Sequence, residues 1–292
     1  MADIVWWWAF LCAIATLNVA AWCMTARALL RNGRSLPVHT YAACRIQLAL
    51  CAVYVFGCAF RSVLPVYDIP RLCLFDTWLS DVIIGRSVAT IAELSFVAQW
   101  ALMLHSTAES TASPFARKVS VLLLPLIVVA EICSWYAVLT RHNLGHVAEN
   151  SLWAVSALLV SASVIPMIRQ CTGPRRRIMI AWCAAGFAYV IFMFLVDVPT
   201  YWARYMADEL HGRAYLTVLQ GISDAASHRV VSYRWGDWQS EVIWMSLYFS
   251  VAVWLSISIT HARAPMAFVE RRPVQRAPVP APASSRSATT AR

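Results

Sequence analysis

Four polar residues in one otherwise greasy stretch mark where this chain could do chemistry. Residues 85–105 read GRSVATIAELSFVAQWALMLH, and Arg86, Thr90, Glu93 and Gln99 interrupt a run long and apolar enough to cross a bilayer. A carboxylate at the middle of such a span costs about 2.5–3.5 kcal/mol on insertion scales. That cost is tolerable where the group faces other helices or water, so Glu93 predicts a polar interior. Arg86 and Glu93 are seven residues apart and share one helical stripe, with Thr90 between them. Their rise along the axis is about 10 Å, which argues against an easy direct pair. Arg86 is therefore expected to meet Asp197, in the same outer third of the membrane, and Glu93 to reach Arg86 through Thr90 or water. Such a set can line an outward-opening cavity that binds a ligand or carries protons; equally, it can clamp helices in register. Glu131, a second deep acid, would suit a general acid or proton carrier beside Glu93, or a carboxyl hydrogen-bonded only for structure.

Two further clusters carry metal-ligand or acid–base chemistry. His142, His146 and Glu149, in RHNLGHVAEN, have i, i+4, i+7 spacing, and two histidines at i, i+4 can chelate zinc. The pattern is not HExxH, and Gly145 argues against a firm helix, so an exposed interfacial loop is expected instead. His211 and His228 lie near Asp208, Glu209 and Asp224 in what reads as a solvated acidic face. No cofactor is expected.

The elements that must position these groups follow from composition. The chain has 292 residues, 60% apolar and only 13% charged, where a soluble domain would be about one quarter charged. Lipid must be the solvent for most of that apolar surface. The apolar runs predict an all-α polytopic integral membrane protein with seven transmembrane helices, at about 4–30, 40–60, 82–105, 119–139, 152–168, 178–198 and 241–261. The first lacks the basic leader of a secretory signal and is read as an anchor. The connections 61–81 and 200–240 are read as amphipathic outer caps, the second as one or two interfacial helices beginning after Pro199. Residues 1–262 form the membrane domain; 263–292, rich in Pro, Ala, Ser and Arg, read as a disordered basic tail.

Of the 24 lysines and arginines, 16 fall at inner helix ends, inner loops and the tail, and 8 on the outer side. The positive-inside rule then gives N-out and C-in. The net charge of +9 is thereby a matter of topology and anionic lipid, and nucleic acid is not an expected partner. Nine cysteines contain no CxxC; Cys44, Cys51 and Cys58 form a small-residue stripe that suits close helix packing.

Several activities are excluded or unsupported. A retinal Schiff base needs a lysine in the last span, and the single lysine is Lys118. Neither a DRY-like triplet after the third span nor NPxxY in the seventh is present, and Walker A, GxSxG and HExxH are all missing. The leading expectation is a binding or sensing protein whose outward polar cavity takes a small polar or lipid-headgroup ligand. It would be lined by Arg86 and Glu93, with Thr90, Gln99, Glu131 and Asp197 around them. A lipid-modifying enzyme using the outer acids and histidines, and a scaffold or assembly factor, are the alternatives. Short loops and the lack of an N-x-S/T glycosylation signal point to a bacterial inner membrane.

Overall fold

The computed structural model describes residues 2–33 and 37–269. They are nearly all helical, and seven helices are long and apolar enough to cross a membrane. The first five spans are single helices: α1 (Ala2–Asn32), α2 (Val38–Val63), α3 (Val82–Thr111), α4 (Pro114–Thr140) and α5 (Leu144–Gln170). The sixth joins α6 (Gly173–Phe192) to α7 (Val198–Leu210) through one π-turn, Met193–Asp197. A short helix, α8 (Val218–Ser227), precedes the seventh span, in which α9 (Trp235–Leu247) passes through a second π-turn, Tyr248–Ala252, into α10 (Val253–Val269).

The sixth span departs from expectation. It does not stop at Pro199 but continues as helix to Leu210, so the predicted interfacial helix after Pro199 is an extension of the span. The π-turn explains how. Val198 N–H bonds the Met193 carbonyl, so the ladder is already shifted by one residue where proline, lacking an N–H, would otherwise break it. The apolar helix covers 35 residues, Arg176–Leu210, or about 52 Å at 1.5 Å per residue. That exceeds the hydrocarbon thickness of about 30 Å, so an end of it stands clear of the lipid. At the other terminus the seventh apolar span ends at His261, near the expected boundary at 262, while its helix α10 continues to Val269. Residues 270–292, most of the predicted tail, lie outside the described residues.

Two apolar clusters build the bundle. One gathers Leu11, Tyr54, Cys58, Trp238 and Phe249 around α1, α2 and the seventh span; the other gathers Trp100, Met103, Leu123, Met167 and Trp182 around α3 to α6. Large aliphatics such as Val121, Ile132 and Leu195 are left exposed on the outside, as a lipid-facing surface requires.

A cap closes one end, and it contains the small sheet that an all-helical reading missed. β1 (Val66–Tyr67) pairs antiparallel with β2 (Leu72–Cys73), and β3 (Val230–Val231) adds parallel to β2, with Leu72 opposite Val230. This ties the 61–81 and 200–240 segments together. Arg71, fully buried, fastens the cap to the bundle: its Nη2 donates to the Val138 carbonyl of α4 at 2.8 Å and its Nε to Asp224 of α8 at 3.0 Å. Arg141 donates to both Asp224 oxygens at 2.8 Å, and His228 lies 3.0 Å from Oδ1. Partial burial opposes ionisation of Asp224, but hydrogen bonds from His228, Arg141 and Arg71 outweigh it and hold the carboxyl below its ordinary range. α8 lies so close to α4 that a Cβ on Gly221 would stand 2.0 Å from the Leu139 carbonyl oxygen. Only glycine fits there.

Candidate functional site

The polar centre forms where α3, α4 and α5 meet near the capped end. α3 places Arg86, Thr90 and Glu93 on one stripe, α4 supplies Glu131, and α5 supplies His146 and Glu149. All four charged side chains are between 3% and 6% exposed. The Arg86 guanidinium sits at their common point: its Nη2 lies 2.9 Å from Glu131, 3.0 Å from Glu149 and 3.4 Å from Glu93. One Nη2 carries two hydrogens, so the two short contacts take them and Glu93 is held least firmly. Glu93 instead accepts from the Tyr248 hydroxyl at 2.9 Å. Thr90 donates to Glu131 at 2.6 Å and accepts from the Trp135 indole at 3.0 Å. His146 Nδ1 lies 2.7 Å from the second oxygen of Glu149, which orients that carboxylate.

These distances correct the expected pairing. Arg86 reaches Glu93 directly at 3.4 Å, the two side chains together spanning the rise that separates the backbones. Asp197 is not the partner of Arg86; it accepts a short hydrogen bond from Asn150 of α5. Gln99 lies away from the centre. It is buried, donates its Nε2 to the Gln47 carbonyl at 3.1 Å and accepts from Ser256, while the Gln47 side chain donates back to the Gln99 carbonyl at 3.0 Å, so it locks α3 to α2 and α10.

The histidines separate. His142 stacks on Tyr215 with ring centroids 4.1 Å apart, whereas His146 enters the polar centre. His211 bonds the Ala207 carbonyl and His228 joins Asp224 in the cap. Among the described residues, the one group of three or more acids, histidines or cysteines with ligand atoms close enough for a metal is Glu93, Glu131 and Glu149. Arg86 Nη2 already contacts all three, so an ion bound there would compete with the guanidinium.

Glu149 and Asn150 were misplaced by sequence reasoning, which put them in an exposed loop before a fifth span starting at 152. The error lay in reading Gly145 as a helix breaker. Gly145 instead lies in the first turn of α5, where a Cβ would stand 2.6 Å from the Cys133 carbonyl oxygen and 2.8 Å from the Ala137 side chain. Its missing side chain brings α4 and α5 together and sets Glu149 opposite Glu131. The i, i+3 spacing of His146 and Glu149 was the available signal. Tyr248 had none, since its direction depends on the π-turn that contains it.

A cavity of about 500 Å³ adjoins this cluster. Its polar end is lined by Arg86, Glu93, Glu149, Asp197, Tyr201 and Glu241; toward the other side of the bundle it is walled by Trp100, Leu123, Val160, Trp182 and Leu255. Both π-turns contribute to the wall, through Asp197 and through Tyr248, and such turns widen a helix locally and re-aim side chains. No family model, curated protein or solved structure matches the chain. The geometry stands without analogy.

Proposed function

We propose that this multi-pass membrane protein is a binding or sensing protein whose cavity takes a small polar or lipid-headgroup ligand. The single observation that carries the reading is the cavity of about 500 Å³ with a buried guanidinium–carboxylate cluster at one end. That volume falls in the range of small-molecule sites. Ionisable groups inside a membrane protein are costly and cluster where ligands or protons pass. Placing the cap on the outer side, as the charge distribution favours, makes the cavity face outward. A bacterial inner membrane is the setting we assign, with membrane lipid as the surrounding partner. In the enzyme alternative, which uses the outer acids with His211 or His228, His211 bonds the Ala207 carbonyl and His228 lies against Asp224 in the cap, away from the cavity that carries the first reading.

The reading is tested by native mass spectrometry of the full chain after incubation with vesicles of phosphatidylethanolamine, phosphatidylglycerol and cardiolipin. The expected result is one retained lipid per chain, lost on filling the cavity with Ala185→Phe while thermal unfolding stays unchanged. Equal retention by the two proteins would place the binding elsewhere and end the proposal.

A further inference from the structure

We infer that the ligand is an amphiphile with a cationic, amine-type head, admitted sideways from the bilayer between the sixth and seventh spans. This deepens the binding reading above and rests on it. The sign of the head follows from what the lining leaves unspent. Five acids line the cavity, Asp68, Glu93, Glu149, Asp197 and Glu241, against two cations, Arg61 and Arg86, and Glu241 is paired with Arg204, just outside the lining, at 3.4 Å. Arg86 is committed to Glu131 and Glu149, at 2.9 and 3.0 Å. Glu93 has the longer 3.4 Å contact to Arg86 and a neutral tyrosine donor, and Asp197 has a neutral asparagine donor. An anionic head would add to this excess; a cationic one offsets it.

Aromatic faces reinforce the choice. Tyr54, Tyr248, Trp244 and Tyr189 line the same cavity and form a chain of rings, with successive centroids 6.0, 5.6 and 6.2 Å apart. Ring faces attract ammonium groups, and more strongly where water is excluded.

The tail follows from the shape of the wall. Below the acids the lining is apolar, and on one side we read a slot from lining residues that also face outward. Ala188 of α6 and Leu247 and Val251 of the seventh span line the cavity and are also exposed on the outer face of the bundle, Leu247 and Val251 at 45% each. The slot is bounded toward the cap by the stacked rings of Phe192 and Trp244, and at its far end by the Trp182–Ser258 hydrogen bond of 2.8 Å. A head among the acids therefore leaves its chain lying in the slot or continuing into lipid.

The test is equilibrium binding of radiolabelled probes to the full chain in phosphatidylcholine nanodiscs, with empty nanodiscs subtracted. The probes are dodecylamine, dodecyl phosphate, butylamine and butyl phosphate. Dodecylamine is expected to saturate at one per chain, weakening about tenfold in Glu93→Gln and in Asp197→Asn. Ala188→Trp, which narrows the slot from its lipid side, should weaken it as well. Thermal unfolding of each variant identifies any that fails to fold, and the two acid substitutions lie on different helices, so one can stand in for the other. Saturable dodecyl phosphate with no saturable amine would overturn the cationic head while leaving a cavity that binds. Butylamine binding as tightly as dodecylamine would overturn the amphiphile and the lateral route. If none of the four probes saturates, the binding reading falls together with this one.

Discussion

Arg86 carries more of this molecule than any other single side chain, because one guanidinium nitrogen serves three buried carboxylates. Removing one partner from a buried ion pair leaves an uncompensated charge, typically at a cost of about 3–5 kcal/mol. Arg86→Ala should therefore lower the thermal unfolding temperature sharply, or remove folded protein altogether, as followed by size-exclusion chromatography. Glu93→Gln should behave differently. Arg86 keeps its two short contacts to Glu131 and Glu149, and the Tyr248 hydroxyl can donate to the amide oxygen instead. The expected result is a nearly unchanged unfolding temperature with weakened ligand binding. A Glu93→Gln protein that unfolds as readily as Arg86→Ala would mark the cluster as a helix clamp and favour a scaffold. At this scale the sequence reveals which residue types are costly in lipid, and Arg86, Glu93 and Glu131 do converge. Which partner each one takes was hidden, since that depends on helix rotation and on side-chain reach.

The elements position those residues through two local devices. One is close approach at glycine: Gly145 lets α5 pack against the backbone of α4. A Gly145→Val substitution should push the helices apart at a cost of about 1–3 kcal/mol, the range for overpacking. It should also separate Glu149 from Arg86, so that lower stability and weaker binding appear together. A stability loss with full binding would show that the site tolerates a displaced α5. The other device is the π-turn, which carries the sixth span through Pro199. Neither is legible from hydropathy, where glycine and proline read as breakers whatever lies beside them. The seven spans themselves were legible, since lipid forces every spanning backbone into a continuous apolar helix. Their ends were not, because residues near an interface satisfy loop and helix equally well.

The cap adds a pH dependence of its own. Asp224 has a carboxyl held below its ordinary value in the folded protein, so it stabilises the cap above the unfolded carboxylate pKa of about 3.9. That contribution is lost as pH falls through the lower folded value. Limited proteolysis between Leu210 and Trp235 should therefore stay slow down to about pH 4 and accelerate below it. Asp224→Asn should be cut quickly at neutral pH and show little further change on acidification. Equal acid sensitivity in wild type and variant would show that Asp224 is not the source of the effect.

At the level of the whole molecule, an odd number of spans puts the two termini on opposite faces of the membrane. The charge distribution is the guide to which is which. With 16 of the 24 basic residues on the side that carries the C-terminal segment, the positive-inside rule leads us to propose that side as the cytoplasmic one. The cap and the polar end of the cavity lie at the opposite end, near the start of α1, where Trp8 donates to the Val63 carbonyl. On that proposed orientation the cavity would draw its ligand from the outer leaflet and the outside, not from the cytoplasm. A reporter active only in the cytoplasm should work when fused after Arg292, and an epitope placed before Met1 should be cleaved by protease added to intact cells. Both tags on one side would remove a span. Inverted tags would keep all seven spans and turn the cavity inward, so the ligand would have to be sought among cytoplasmic amines and inner-leaflet lipids.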